Sequence, residues 1–123
     1  MELASYFENT KGTGVLATAD ASGQVNAAVY ARPHFLEDGT VALIMRDRRT
    51  RQNLLSNPHA AYLFIESGPG YQGKRLYLTK LTEEKESDRL YRLKRRQGRL
   101  EQEDQESLYL TIFRLDQERP LIG

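Results

Sequence analysis

Six short stretches rich in apolar residues follow one another between Gly14 and Phe113, and they do not alternate with helical segments. This order constrains the fold more than any other feature. A doubly wound parallel sheet needs a helix after almost every strand. Here the expected order is helix, three strands, helix, two strands, helix, strand. Gly14-Val-Leu-Ala-Thr18 reads as a buried strand leading into the turn residues Asp20-Ala-Ser-Gly23. From Val25 the pattern alternates with the period of a strand. Val25, Ala27, Val29 and Ala31 fall on one face, with Asn26, Tyr30 and Arg32 on the other. Pro33 limits the pairing of that strand. Glu37-Asp38-Gly39 is a second turn, and Val41-Ala-Leu-Ile-Met45 follows as a strand. Two hairpins in a row imply an antiparallel sheet.

The other segments complete the picture. Leu3, Tyr6 and Phe7 have helical spacing, and Gly12 and Gly14 are expected to end that helix. A second helix is expected from Thr50, as N-cap, to Asn57-Pro58, with Leu54 and Leu55 facing inward. Ala60–Ile65 and Arg75–Leu81 read as strands, joined by the glycine-rich segment Ser67–Gly73. Thr82 is expected to cap a third helix, with Glu83 and Glu84 in its first turn. Leu90, Leu93 and Tyr91 mark its buried side, and Gly98 its end. The acidic residues from Glu101 to Glu106 read as a solvated connection to the last strand, Leu108–Phe113. Six antiparallel strands with helices in the gaps predict a small, mainly β barrel, whose closure would remove exposed edges.

A length of 123 residues suits one domain over residues 1–123. The chain has no cysteine, which excludes disulfides, thiolate metal sites, iron–sulfur clusters and a cysteine nucleophile. That fits a reducing cytoplasm. The net charge of +1 gives no global field toward nucleic acid. No apolar run approaches a membrane span, and no basic-then-apolar leader opens the chain, so a soluble cytoplasmic protein is expected.

The densest charge lies in Arg46-Asp47-Arg48-Arg49-Thr50-Arg51, at a strand-to-helix junction. Unpaired amides at a helix N-terminus and the helix dipole favour an anion there. Arg49 and Thr50 add a charged fork and a hydroxyl, and Asn53 follows one turn later. Together they suit a phosphate monoester. A solvated run of arginines fits the same letters. Gly68-Pro-Gly-Tyr-Gln-Gly73 matches G-x-G-x-x-G, but a strand follows where the dinucleotide fingerprint needs a helix. It reads as a wide hairpin turn or as the rim of a pocket. His34 and His59 lack partners at metal-ligand spacing, so no metal site is expected. No nucleophile elbow, Walker loop or serine triad is present. The basic stretch lacks interleaved aromatics, so a nucleic-acid partner is not expected.

Three of these stretches together resemble the pyridoxamine 5'-phosphate oxidase-like family of FMN-binding split barrels. They are Gly14-Val-Leu-Ala-Thr18 with its hairpin, Asn26-Ala-Ala-Val-Tyr-Ala-Arg-Pro33, and Arg48-Arg-Thr-Arg-Gln-Asn-Leu-Leu-Ser-Asn-Pro58 with the strand after it. The likeness to the small single-domain members extends over nearly the whole chain. It implies a six-stranded antiparallel Greek-key split β-barrel holding FMN at a homodimer interface. Ala28, Val29, Tyr30 and Ala31 would lie along the isoalloxazine ring. Ile44, Met45 and Arg46 would offer backbone groups to it, and Arg49, Thr50 and Asn53 would surround the phosphate. The alanines leave room for a flat ligand, though they would equally fit a tight barrel corner. The family's oxidases carry a C-terminal Arg/His pattern that Phe113–Gly123 lacks, so vitamin B6 oxidation is not expected. An FMN-dependent reductase or electron carrier is expected instead, with an unidentified small-molecule or protein redox partner and no membrane association. An F420- or haem-binding barrel and a non-enzymatic ligand-sensing module are the alternatives. Ala60–Ile65 and Leu108–Phe113 carry more large apolar side chains than a small barrel holds, so part of them is expected to cover a second copy.

Overall fold

A computed structural model describes residues 2–96 and 106–123. Ten elements follow one another: α1 (Glu2–Asn9), β1 (Gly12–Ala19), β2 (Val25–Tyr30), β3 (His34–Phe35), β4 (Val41–Arg46), α2 (Arg49–Ser56), β5 (His59–Glu66), β6 (Gly73–Lys85), α3 (Asp88–Arg96) and β7 (Leu108–Pro120). All strand pairs are antiparallel, in one sheet of order β2-β1-β5-β6-β7-β4-β3. The sheet has seven strands rather than six, because His34 and Phe35 pair with Ala42 and Val41 directly after Pro33. It is also open, and its two hydrogen-bonded edges are β2 and β3.

Long strands bend the sheet over its core. β6 pairs with β5 only from Gly73 to Thr79, while its pairing with β7 runs on to Lys85. Register shifts at Tyr77/Leu78 and Lys80/Thr82 provide the bend, as β-bulges do. Leu16 of β1, Tyr62 and Phe64 of β5, Leu76 and Leu78 of β6, Phe113 of β7 and Leu43 of β4 thereby meet in one core. α1 plugs it, with Leu3 and Phe7 inward at helical spacing. Phe7 packs edge-on against Phe64 at 5.0 Å and stacks on Phe35 at 5.6 Å. On the opposite side of β7 and β4, Leu90 and Leu93 of α3 cover Ala42, Leu108, Leu110 and Ile112.

Several expectations change in three dimensions. Gly12 and Gly14 do not end α1 but lie inside β1. A Cβ on Gly14 would stand 1.9 Å from the Tyr62 hydroxyl, so only glycine permits that approach. Thr82 caps no helix, because residues 82–85 remain on β6, where β7 pairs with them along one edge. The cap is Ser87, whose hydroxyl accepts the Leu90 amide at 3.1 Å. Thr50 is not an N-cap either. Arg48 holds that position with no side-chain cap, and Thr50 lies inside α2. Leu55 is 55% exposed, because Thr50, Asn53 and Leu54 take the inward arc of α2. Tyr91 stays on the surface while Leu90 and Leu93 are buried. Leu108–Phe113 is buried within this chain on both faces of β7, so no apolar side chain there is left over for a second copy. Gly98 and residues 101–105 of the acidic stretch lie outside the described residues. No described helix is long and apolar enough to cross a membrane.

Candidate functional site

The sheet opens between β2 and β4, and a cavity of about 390 Å³ lies in the gap. β2 hydrogen-bonds only to β1, and the β3 pairing of β4 stops at Ala42. One edge of each strand beside the gap is therefore unpaired by the sheet over Val25–Tyr30 and Leu43–Arg46. Such edges carry backbone donors and acceptors that a ligand can use. The walls are Asn26, Ala28, Val29, Tyr30 and Ala31 from β2 and its end, and Ile44, Met45 and Arg46 from β4. Arg48, Arg49 and Thr50 from the start of α2, Lys94 of α3 and Leu108 of β7 close it.

Period 2 decides which part of β2 meets the cavity. Asn26, Ala28 and Tyr30 are half-buried, while Val25 and Val29 are 84% and 73% exposed. The polar face of β2 thus turns toward α2. Asn26 Nδ2 lies 3.4 Å from the Thr50 hydroxyl, in position to donate to it. Burial raises the Tyr30 phenol above its ordinary pKa, while its hydrogen bond with Thr50 and the Arg48 charge act in the opposite direction. Tyr30 is therefore a neutral phenol at neutral pH. The Tyr62 hydroxyl donates to the Ala31 carbonyl at 3.2 Å and pins the end of β2 to β5.

The basic run divides by role. Arg46, Arg48 and Arg49 line the cavity, and Arg49 is exposed with no ion-pair partner among the described residues. Arg51 turns away. Its guanidinium donates to Glu83 at 2.6 and 3.0 Å and to Asp47 at 3.0 Å, and it lies 3.8 Å over the Tyr109 ring. Those carboxylates raise the Arg51 pKa further, and Arg51 in turn holds Glu83 below the usual carboxylate range. Arg51 is thus the clamp that fixes α2 to β6. The uncapped α2 N-terminus faces the cavity with its first-turn amides without a side-chain partner.

Of the residues expected to hold FMN, Ala28, Val29, Tyr30, Ala31, Ile44, Met45, Arg46, Arg49 and Thr50 line this cavity, and Asn53 does not. That side chain is buried against β1 and donates to the Thr18 hydroxyl at 3.1 Å. Its place on the inward arc, beside Leu54, takes it away from Arg49. Sequence reasoning missed Asn26, Arg48, Lys94 and Leu108. Asn26 had a usable signal, two residues before Ala28 on one strand face, and Arg48 lay within the basic run. Lys94 and Leu108 arrive from distant elements and had none. A second cavity of about 470 Å³ lies between α1, β3 and α3, and Ala31 lines both. His34 lines that second cavity, and His59 stands apart at the start of β5, 3.4 Å from the Thr79 hydroxyl. No metal-ligating group of three or more side chains occurs among the described residues.

Solved structures share this fold. The chain matches an FMN-binding protein from Syntrophomonas wolfei subsp. wolfei at TM-score 0.76 and 18% identity, over 98% of this chain and 84% of that one. It matches an F420 reductase at TM-score 0.73 and 15% identity, over 94% of each chain. It matches HutZ, the haem storage protein from Vibrio cholerae, at TM-score 0.66 and 19% identity, over 97% of this chain and 92% of that one. The fold is therefore the split barrel of the pyridoxamine 5'-phosphate oxidase-like proteins. No protein-family model matches the chain, and no curated protein matches it in sequence.

Proposed function

We propose that this chain binds FMN in the gap between β2 and β4 and works as a flavin redox protein. One observation carries the reading. An arginine with no ion-pair partner among the described residues, a hydroxyl and an uncapped helix start meet in a cavity whose other walls include the apolar Ala28, Ala31, Ile44, Met45 and Leu108. That is a phosphate grip joined to an apolar slot, and its size falls in the usual range for small-ligand pockets, roughly 300–1,000 Å³. Arg49, Thr50 and the first-turn amides of α2 hold the phosphate. Asn26 and Tyr30 fix the Thr50 hydroxyl. The alanines leave room beside β2 for a flat ring, and the free edge of β4 offers it backbone groups. FMN supplies the electron transfer, while the protein supplies binding, orientation and charge. Proteins of like fold include one that binds FMN, an F420 reductase and a haem storage protein, and the phosphate grip beside Arg49 is what favours FMN here.

The site is completed by a second copy. Val29 lines the cavity and also belongs to an uncovered apolar face. A partner seated on that face adds a wall to the cavity and covers a ring that one chain leaves wet. The homodimer works in the cytoplasm, with about one FMN per chain.

Quenching of flavin fluorescence on titration tests the cofactor. Arg49→Ala is expected to weaken FMN by roughly tenfold or more, the loss of a charged contact worth about 1.5–3 kcal/mol, and to leave riboflavin unchanged. Equal losses for both ligands would remove Arg49 from the phosphate site. The absorbance spectrum of the purified protein separates flavin from F420 and haem. Anaerobic mixing with NADH or NADPH separates the roles, since bleaching marks a reductase and an inert flavin marks a carrier or a sensor.

A further inference from the structure

The cationic rim of the cavity carries an anion from its own chain. Glu106, just before β7, takes the fork of Arg48 with both oxygens, at 2.9 Å from Nη2 and 3.3 Å from Nε. The same carboxylate lies 3.7 Å from Arg46 Nη1. Both arginines line the cavity, and Arg46 stands opposite Leu108 in the β4–β7 register, so the start of β7 places Glu106 there. The Nε/Nη2 edge of Arg48 that Glu106 occupies is one of the two that a phosphate can take in a bidentate pair, and the carboxylate charge stands beside the other. Arg49, by contrast, has no ion-pair partner among the described residues.

We propose that Glu106 limits the site to one phosphate group: it occupies Arg48 and neighbours Arg46, leaves Arg49 and the α2 start for a single phosphate, and thereby selects a phosphate monoester over a diphosphate. The proposal rests on reading the cavity as a phosphate-ester site. A second phosphate must displace the Glu106 carboxylate or sit beside its charge. A first phosphate at Arg49 meets neither cost in full.

Calorimetric titration of Glu106→Gln and the unaltered protein with inorganic phosphate, pyrophosphate, riboflavin, FMN and FAD tests this. Glu106 is partly exposed, and glutamine keeps its shape, so the fold is retained. In the variant, pyrophosphate and FAD are expected to bind about three- to fivefold tighter, the scale of one partly exposed ion pair. Phosphate and FMN gain less than about twofold by the same scale, and riboflavin does not change. Adding Arg48→Ala to Glu106→Gln should abolish the diphosphate gain. Equal gains for phosphate and pyrophosphate, no gain for pyrophosphate, or no pyrophosphate binding to either protein would each overturn the proposal. Failure of the flavin reading looks different: riboflavin and FMN do not bind the unaltered protein, while the inorganic ligands still report on Glu106.

Discussion

The two outward faces of the sheet meet different fates. On the β7–β4 side, Leu108, Leu110, Ile112 and Ala42 lie under Leu90 and Leu93 of α3. On the β2–β1–β5 side, Val25, Val29 and Ile65 remain 84%, 73% and 38% exposed. Val15 stands opposite Val29 there, and Ala17 opposite Ala27, so the face is continuous across strands. Both regions come from strands of similar apolar content. The difference lies in the cover, since one face received a helix from its own chain and the other did not. An extended apolar surface left bare on a small domain marks an interaction site. The cavity borders this bare face through Val29, which joins assembly to the proposed site.

The contrast can be broken or sharpened by substitution. The largest effect is expected on the covered face. Leu90 is fully buried, so Leu90→Ala should lower stability by about 2–5 kcal/mol in urea unfolding. A loss below about 0.5 kcal/mol, the level of an ordinary surface change, would mean that α3 is not fixed to the sheet. On the bare face, Val25→Lys should alter the unfolding of the single chain by no more than about 0.5 kcal/mol. It should nonetheless shift sedimentation from dimer to monomer and weaken FMN, although Val25 does not line the cavity. A dimer that persists would place the partner on another surface.

The smallest effect concerns pH. Arg89 donates to Glu84 and holds its carboxyl below the usual range, which ties α3 to the end of β6. A depressed carboxylate stabilises the fold above its unfolded pKa, about 4.3, and that stabilisation is lost as pH falls through the lower folded value. Acidification below about pH 4 should therefore speed amide exchange in α3 more than in β1, by under about 1 kcal/mol for a partly exposed pair. Equal acceleration in both would remove this pair as a latch on α3.

Much of this protein could be read from local pattern. The turns at Asp20–Gly23 and Glu37–Gly39, the alternation along β2 and the basic helix start at Arg49 are features of neighbouring residues. A period of two or of 3.6 needs only a few of them to declare itself. The same locality singled out Arg49 and Thr50, whereas Ala28–Ala31 and Ile44–Arg46 entered through the resemblance to a known family; all of them line one cavity. Folding in three dimensions decided the rest. Residues 82–85 carry helix-start letters, yet they extend β6 because β7 pairs with them as far as Lys85. Arg51 and Asn53 share a helix with Arg49, but packing against Glu83 and Thr18 takes them out of the cavity. Lys94 and Glu106 reach the rim of the cavity from segments remote in sequence. A strand's sequence fixes which residues share a face. Whether that face meets a core, a helix, a ligand or water depends on which distant surface packs against it, and only the assembled sheet determines that.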